Sequence, residues 1–293
     1  RRKQGDADFA QTLRTGTFRT ALGAFDSMKK SRFNGVPAHW AGVIAIAAAG
    51  AAFFVSPLVS VLLLFLYILL CLAACFFPRM QFLGPMIGRG SRGSGAVSVT
   101  FDDGPAEPTT RRVLDLLDRY NAKATFFVSG ANALRHPDLI AEILRRGHSI
   151  GNHSFSHDPC LMLRSGGTLY REIQRAQQAL SSLGVEPLAF RPPVGIINPK
   201  LDGILNTLGM YGVVFSRRAG DAGNRRIAGL GRKILSGLKP GDIILMHDVP
   251  PRYAADEVLY AEMEAVLKGI GAAGLKIAPL AELIGRPVMK CHV

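Results

Sequence analysis

Apolar positions along this chain follow two regimes. No charged residue occurs between Arg32 and Arg79, and residues 41–77 are almost wholly apolar. One helix over 37–77 would run about 60 Å at 1.5 Å per residue, twice a bilayer core of roughly 30 Å. Pro57 divides the stretch, so the pattern predicts two membrane helices, residues 40–56 and 58–77, each near the ~17–25 residues that a span needs. A signal peptide, whose apolar core is roughly 7–15 residues long, fits this length poorly. Beyond residue 95 the pattern becomes short apolar runs alternating with helix-period stretches. Strands are expected at 97–101, 124–128, 149–151, 189–191, 211–216, 242–247 and 275–277. Helices are expected at 109–120, 137–146, 169–183, 199–208, 227–238 and 257–271. That alternation predicts an α/β domain over 95–286 with a largely parallel sheet. Such folds carry their chemistry on loops at the C-terminal ends of the strands.

The flanks complete the organisation. Residues 1–37 form a basic arm in which Phe9, Leu13, Phe18, Leu22 and Phe25 recur at helix-like intervals. The arm is read either as an amphipathic helix on a membrane surface or as a mobile lead-in to the transmembrane region 38–78. Gly84, Gly88, Gly90 and Gly93 punctuate 79–94, a flexible Gly/Arg-rich linker, and 287–293 is read as a tail. Composition agrees with attachment to a membrane: 48% of residues are hydrophobic, and mean hydropathy is +0.20. A purely soluble domain, a disordered chain and a disulfide-stapled module are excluded.

Charge sharpens the partners. Lys and Arg number 35 against 22 Asp and Glu, a net charge of +13. Basic residues beside the apolar stretch suit anionic lipid headgroups. The few aromatics form no base-stacking module, so nucleic acid is set aside and membrane lipids are kept as partners. Two spans would place arm and domain together on the cytoplasmic face of a bacterial-type inner membrane, the side this length arithmetic favours. A single span would put the domain outside. The four cysteines show no CxxC spacing.

Two clusters carry candidate chemistry. Asp102 and Asp103 end the first strand before a Gly-Pro turn. Adjacent carboxylates at a strand end point different ways, so one can bind a metal while the other faces a water; the plainer alternative is a capping pair. His153 and His157 stand four residues apart, a spacing suited to one divalent ion. With a strand-end Asp they make a two-His, one-carboxylate set with positions open to water and substrate. Zn²⁺ is the default occupant of such a set, and Co²⁺, Ni²⁺, Fe²⁺ or Mn²⁺ are alternatives.

TFDDGP at 100–105, KATFFV at 123–128, GHSIGNHSFSH at 147–157, RPPVG at 191–195 and ILMHD at 244–248 follow in this order. Together they closely resemble the polysaccharide deacetylase family, the NodB-homology domain of carbohydrate esterases, over about two thirds of the chain. The resemblance implies a distorted (β/α) barrel of about seven strands. It also implies a hydrolase acting on the linear amide of an N-acylated amino sugar, a deacetylase or deformylase. Carried over by position, Asp102 matches the general base, and Asp103, His153 and His157 the metal ligands. Arg191 matches the residue that holds the base, and His247 the general acid. Bound Zn²⁺ would bring a water's pKa to roughly 7, and a backbone N–H near Pro193–Val194 would stabilise the oxyanion.

Two departures limit the resemblance. Val194 replaces an aromatic residue found in many members, which alters the acyl or sugar pocket. The fourth motif lacks its Trp and reads FSRRAGDA at 215–222. Asp221 falls where the residue orienting His247 belongs, or else pairs with Arg217 or Arg218 as a loop charge. Those two arginines are candidate contacts for the phosphate of a lipid-linked glycan. A peptidoglycan or exopolysaccharide substrate, with the spans only an anchor, is the alternative, and a catalytically silent sugar-binding domain the alternative of another class. Cys160 is read as a small packed thiol, His136 as a helix start and Met246 as a core residue.

Overall fold

The computed structural model describes residues 36–291, so the basic arm 1–35 lies outside the described residues. The apolar stretch folds as an antiparallel helical hairpin, α1 (Pro37–Phe53) and α2 (Pro57–Phe76). Each helix opens on a proline, a position where the missing N–H costs nothing. Three residues, 54–56, make the turn, and the Tyr67 hydroxyl donates to the Ala38 carbonyl across the pair at 2.9 Å. Leu58, Val61, Phe65, Ile68 and Leu72 are exposed along α2. Among the described residues α2 alone is long and apolar enough to cross a membrane; α1, at 17 residues, is shorter.

The domain is built around β1 (Ala96–Asp102), every residue of which is buried. It lies between β2 (Thr125–Val128) and β8 (Ile243–His247), parallel to both, with Phe101 opposite Phe126 on one side and Met246 on the other. Beyond β2 come β3 (Ser149–Asn152), β5 (Ala189–Phe190) and β6 (Tyr211–Gly212); beyond β8 comes β7 (Arg217–Arg218). β9 (Lys276–Ile277) pairs with the start of β1. All these pairings are parallel, as the alternation of strands and helices predicts, in the distorted α/β barrel that the family resemblance implies. The outer layer includes α3 (Thr109–Arg119), α4 (Gly130–Arg135), α5 (Pro137–Arg145), α6 (Gly166–Ser181), α7 (Leu201–Thr207), α8 (Leu230–Leu235), α9 (Asp256–Ala272) and α10 (Leu280–Ile284). Val113 and Leu117 of α3 and Met263, Val266 and Ile270 of α9 close the main core over the sheet, in which Phe101 and Phe126 stack at 5.1 Å.

Four sequence expectations need correcting. The strand expected at 211–216 divides: β6 pairs with β5 at one edge of the sheet, and β7 pairs with β8 at the other. Residues 211–218 therefore join the two edges, and the run Val213-Val214 looks like uninterrupted strand because both residues are buried at that seam. The stretch 79–94, expected as a flexible linker, fills the seam. Leu83 and Met86 are buried in it. Ile87 N donates to Gly212 O at 2.9 Å and Val214 N to Ile87 O at 2.9 Å, while Arg89 pairs with Asp242 at 2.7 Å. The tail expected at 287–293 forms β10 (Met289–Cys291), antiparallel to β4 (Val185–Pro187). Cys160, read as packed, is exposed. His136 does cap α5, and Met246 is buried.

Candidate active site

Parallel strands end on one rim, and four of them deliver the chemistry there. β1 ends in Asp102 with Asp103 next; β3 is followed by His153, β5 by Arg191, and β8 ends in His247. The turn after β1 is held from below by Asp248. Its carboxylate accepts from Gly104 N at 3.1 Å and from the Thr110 hydroxyl at 2.6 Å. A Cβ at Gly104 would lie 2.1 Å from Asp248 Oδ2, so only glycine permits this approach. Burial pushes the Asp248 carboxyl up to about 7 against the hydrogen bond from Thr110.

Asp103 Oδ1 lies 3.4 Å from His153 Nε2 and 2.9 Å from His157 Nε2. One donor atom from each residue falls within 4.8 Å of the other two. His153 Nδ1 meets the Arg191 carbonyl at 2.7 Å, which fixes Nδ1 as the protonated nitrogen and turns the Nε2 lone pair toward Asp103. Burial opposes ionisation of Asp103, but the adjacent His153 and His157 imidazoles outweigh it and hold its carboxyl well below the usual carboxylate range. Burial likewise opposes a charged His157, and Asp103 outweighs it, raising the imidazole. Asp103 and His157 both have positive φ, 76° and 53°, a backbone placement that costs energy and is common at functional sites.

Asp102 lies beside this group with its second oxygen 3.8 Å from His153 Nε2. Its Oδ1 accepts from Arg191 Nη1 at 2.7 Å. Arg191 is fully buried, stacks 3.9 Å from the Phe127 ring centroid and also donates to the Thr100 hydroxyl. On the opposite wall His247 Nδ1 and Asp221 Oδ2 are 2.7 Å apart. Burial alone would lower the His247 imidazole; Asp221, with Asp103 and Asp102 further off, lifts it to about 9. Asn224 steadies the pair, donating from its side chain to the His247 carbonyl and from its backbone to Asp221.

Asp102, Asp103, His153, His157, Asp221 and His247 line one cavity of about 600 Å³, together with Val194, Gly195, Arg218 and Arg225. Val194 lines the cavity from a tight turn at φ 54°, a rare conformation for a β-branched residue. Pro193, its neighbour, is buried. Arg217 is not in the lining: its Nε lies 3.4 Å from Asp242 on the outer side of β7, and its Nη2 donates to the Ser236 carbonyl. Alternation along a strand turns adjacent side chains to opposite faces, so only Arg218 of the pair can reach the rim. Sequence reasoning missed Arg225, Asn224 and the support from Asp248. For Asp248 the signal was present, a carboxylate directly after His247 at a strand end.

Comparison with known proteins agrees with this arrangement. A family model described as polysaccharide deacetylase matches residues 89–213. A chitooligosaccharide deacetylase of Azorhizobium caulinodans is 32% identical over 211 residues, covering 69% of this chain and all of that protein. A peptidoglycan-N-acetylglucosamine deacetylase of Listeria monocytogenes is 33% identical over 190 residues, 64% of this chain; the match spans only 39% of that relative's length. Among solved structures, the Bc1960 peptidoglycan N-acetylglucosamine deacetylase superposes with a TM-score of 0.63 at 26% identity, covering 73% of this chain and 98% of that one.

Proposed function

The chain belongs to the polysaccharide deacetylase family, and on that premise we propose that it hydrolyses the N-acyl group of an amino sugar with the help of a divalent metal. The observation that carries this reading is a single cavity in which Asp103, His153 and His157 converge between Asp102 and His247. The donor set fits a metal: one carboxylate held ionised and an imidazole turned by its hydrogen bond to present Nε2. A cation held by Asp103, His153 and His157, most simply Zn²⁺, would supply Lewis acidity to a water and to the amide carbonyl.

The chain's own groups account for the proton movements. Asp102, anchored through Oδ1 by Arg191, has Oδ2 to take a proton from the water that attacks the acyl carbon. The oxyanion formed there meets the main chain of Val194 on the cavity wall. His247, protonated at neutral pH and held by Asp221, gives its proton to the sugar nitrogen as the C–N bond breaks. A free carboxylate and a free amine are the products. Retention of every one of these groups argues against a silent sugar-binding domain.

The hairpin anchors the domain in a bilayer, with its exposed apolar side chains in lipid. It returns the chain to the face it left, so the basic arm and the domain lie on the same side, by the positive-inside tendency the cytoplasmic one.

Acetate release from N-acetylated chito-oligosaccharides by the Zn²⁺-loaded chain tests the activity. Chelation should abolish it. Asp102→Asn should keep the bound metal and lose roughly 10²–10⁴-fold in kcat. Absence of acetate with the metal bound would overturn the reading.

A further inference from the structure

A second recess of about 590 Å³ opens where the hairpin meets the barrel. Its floor is the end of α2 and the turn after it: Phe76, Phe77 and Met80 are all exposed there. Its far wall is shared with the catalytic cavity, since Val194, Gly195, Phe215 and Arg218 line both. The two recesses therefore adjoin at that shared wall, which stands between the end of α2 and the cavity holding Asp103, His153 and His157.

The charged side chains that line the recess under the hairpin, Arg79 and Arg218, are both cationic. Arg79 lies beside Phe77 and Met80, Arg218 at the shared wall and Arg225 in the catalytic cavity. Among the described residues none of these three arginines has a carboxylate partner, whereas Arg89 and Arg217 are engaged by Asp242. No Asp or Glu lines the recess under the hairpin. Guanidinium groups without carboxylates, set above aromatic and thioether side chains, match a phosphate attached to hydrocarbon. A neutral glycan needs no such cations. An anionic polymer would use the arginines and leave Phe76, Phe77 and Met80 in contact with water.

Building on the N-deacylase reading and its bilayer anchor, we propose that this recess binds the phosphate and proximal lipid chain of a membrane-held, lipid-phosphate-linked N-acyl amino sugar. The lipid lies along the end of α2, the phosphate meets Arg79 and Arg218, and the sugar passes Val194 to reach Asp102 and His247. The hairpin is thus part of the binding site as well as an anchor. Ala38 and Ala74, one from each helix, pack into the same core as Leu83 and Met86, which holds the helix ends against the barrel.

The test uses the full chain, loaded with Zn²⁺ in phosphatidylcholine vesicles, and four acetamido sugars: the farnesyl phosphate ester of N-acetylglucosamine, N-acetylglucosamine 1-phosphate, octyl N-acetylglucosaminide and neutral chitotetraose. The farnesyl phosphate ester should have the highest kcat/KM, roughly tenfold or more above either half-substrate. Arg79→Gln keeps the stem that packs on Gly88 and removes the charge. It should raise KM for the farnesyl phosphate ester roughly tenfold and shrink its preference over chitotetraose by the same factor. A second measurement needs no variant: farnesyl phosphate should inhibit chitotetraose hydrolysis competitively at concentrations where farnesol and inorganic phosphate do not. Chitotetraose matching or exceeding the farnesyl phosphate ester, or equal inhibition by all three competitors, would overturn the proposal and leave the N-deacylase reading standing. Hydrolysis of none of the four would overturn both.

Discussion

In the proposed reaction His247 serves as the acid only while it holds its proton, and Asp221 decides how far up the pH scale that lasts. Burial opposes the charged imidazole, the 2.7 Å contact to Asp221 outweighs it, and the group is raised to about 9. The proton is therefore present at neutral pH, and the rate should fall as pH rises through the alkaline side. A cation at Asp103, His153 and His157 repels the imidazolium, so the limb in the loaded enzyme should lie below 9. Asp221→Asn removes the stabilising charge and should move that limb down by about one unit or more, read from kcat/KM between neutral and alkaline pH. Arg191 is a different kind of residue, with its charge entirely inside the protein. Arg191→Ala strands the buried Asp102 carboxylate and should cost about 3–5 kcal/mol of stability, measured by thermal unfolding in detergent. Arg191→Lys should not repair it, because an ammonium has neither the flat face that stacks on Phe127 nor the fork that reaches both Asp102 and Thr100.

At the scale of elements, the seam of the barrel depends on a stretch whose composition reads as a loop. Gly90 N donates to Gly241 O at 2.8 Å, and Ser91 N to Leu283 O at 3.1 Å. A Cβ at Gly90 would sit 2.3 Å from the Leu283 carbonyl oxygen and 2.5 Å from its Cγ. Gly90→Val should therefore destabilise the domain by about 1–3 kcal/mol, the usual cost of forcing atoms into a packed site. Gly93→Val, where only the Ser91 hydroxyl comes near at 3.9 Å, should change stability by less than about 0.5 kcal/mol. A flexible tether would show no difference between the two in chemical denaturation. The same stretch lies between the two edges: Ile87 bonds to Gly212 and Val214 on the β6 side, and Arg89 bridges to Asp242 just before β8.

For the molecule as a whole, the proposed bilayer anchor makes a testable statement about topology. Both ends of the pair face the barrel, since Ala38 N donates to Phe82 O and Ile197 N to Cys75 O. Reporter tags placed before residue 36 and after residue 291 should thus share one side of the membrane, and protease added to sealed vesicles should cut both or neither. Cutting of one alone would mean that a single helix crosses. The cavity that carries Asp102 and His247 shares a wall with the recess at the hairpin base, the arrangement on which the proposed lipid-linked substrate depends.

By itself the sequence determined the α/β class, the two apolar helices divided at Pro57 and the residues that gather at the strand ends. Each of these is written locally: apolar spacing reports burial, and Asp102, Asp103, His153 and His157 stand in short motifs at strand ends. Only the tertiary structure decided which neighbours those residues have. Arg217 and Arg218 are adjacent and chemically alike in sequence, yet strand alternation sends the first to Asp242 and leaves the second at the rim. Asp221, undecided between a loop pair and a partner for His247, is brought to the imidazole across 26 positions of chain. Residues 79–94 and 287–291 have the composition of connectors, and become ordered parts of the fold, the first at the barrel seam and the second as a strand on β4, because partners far along the chain offer them backbone groups. Contacts of that kind are set by how the sheet curls and closes, and no local pattern of residues encodes that.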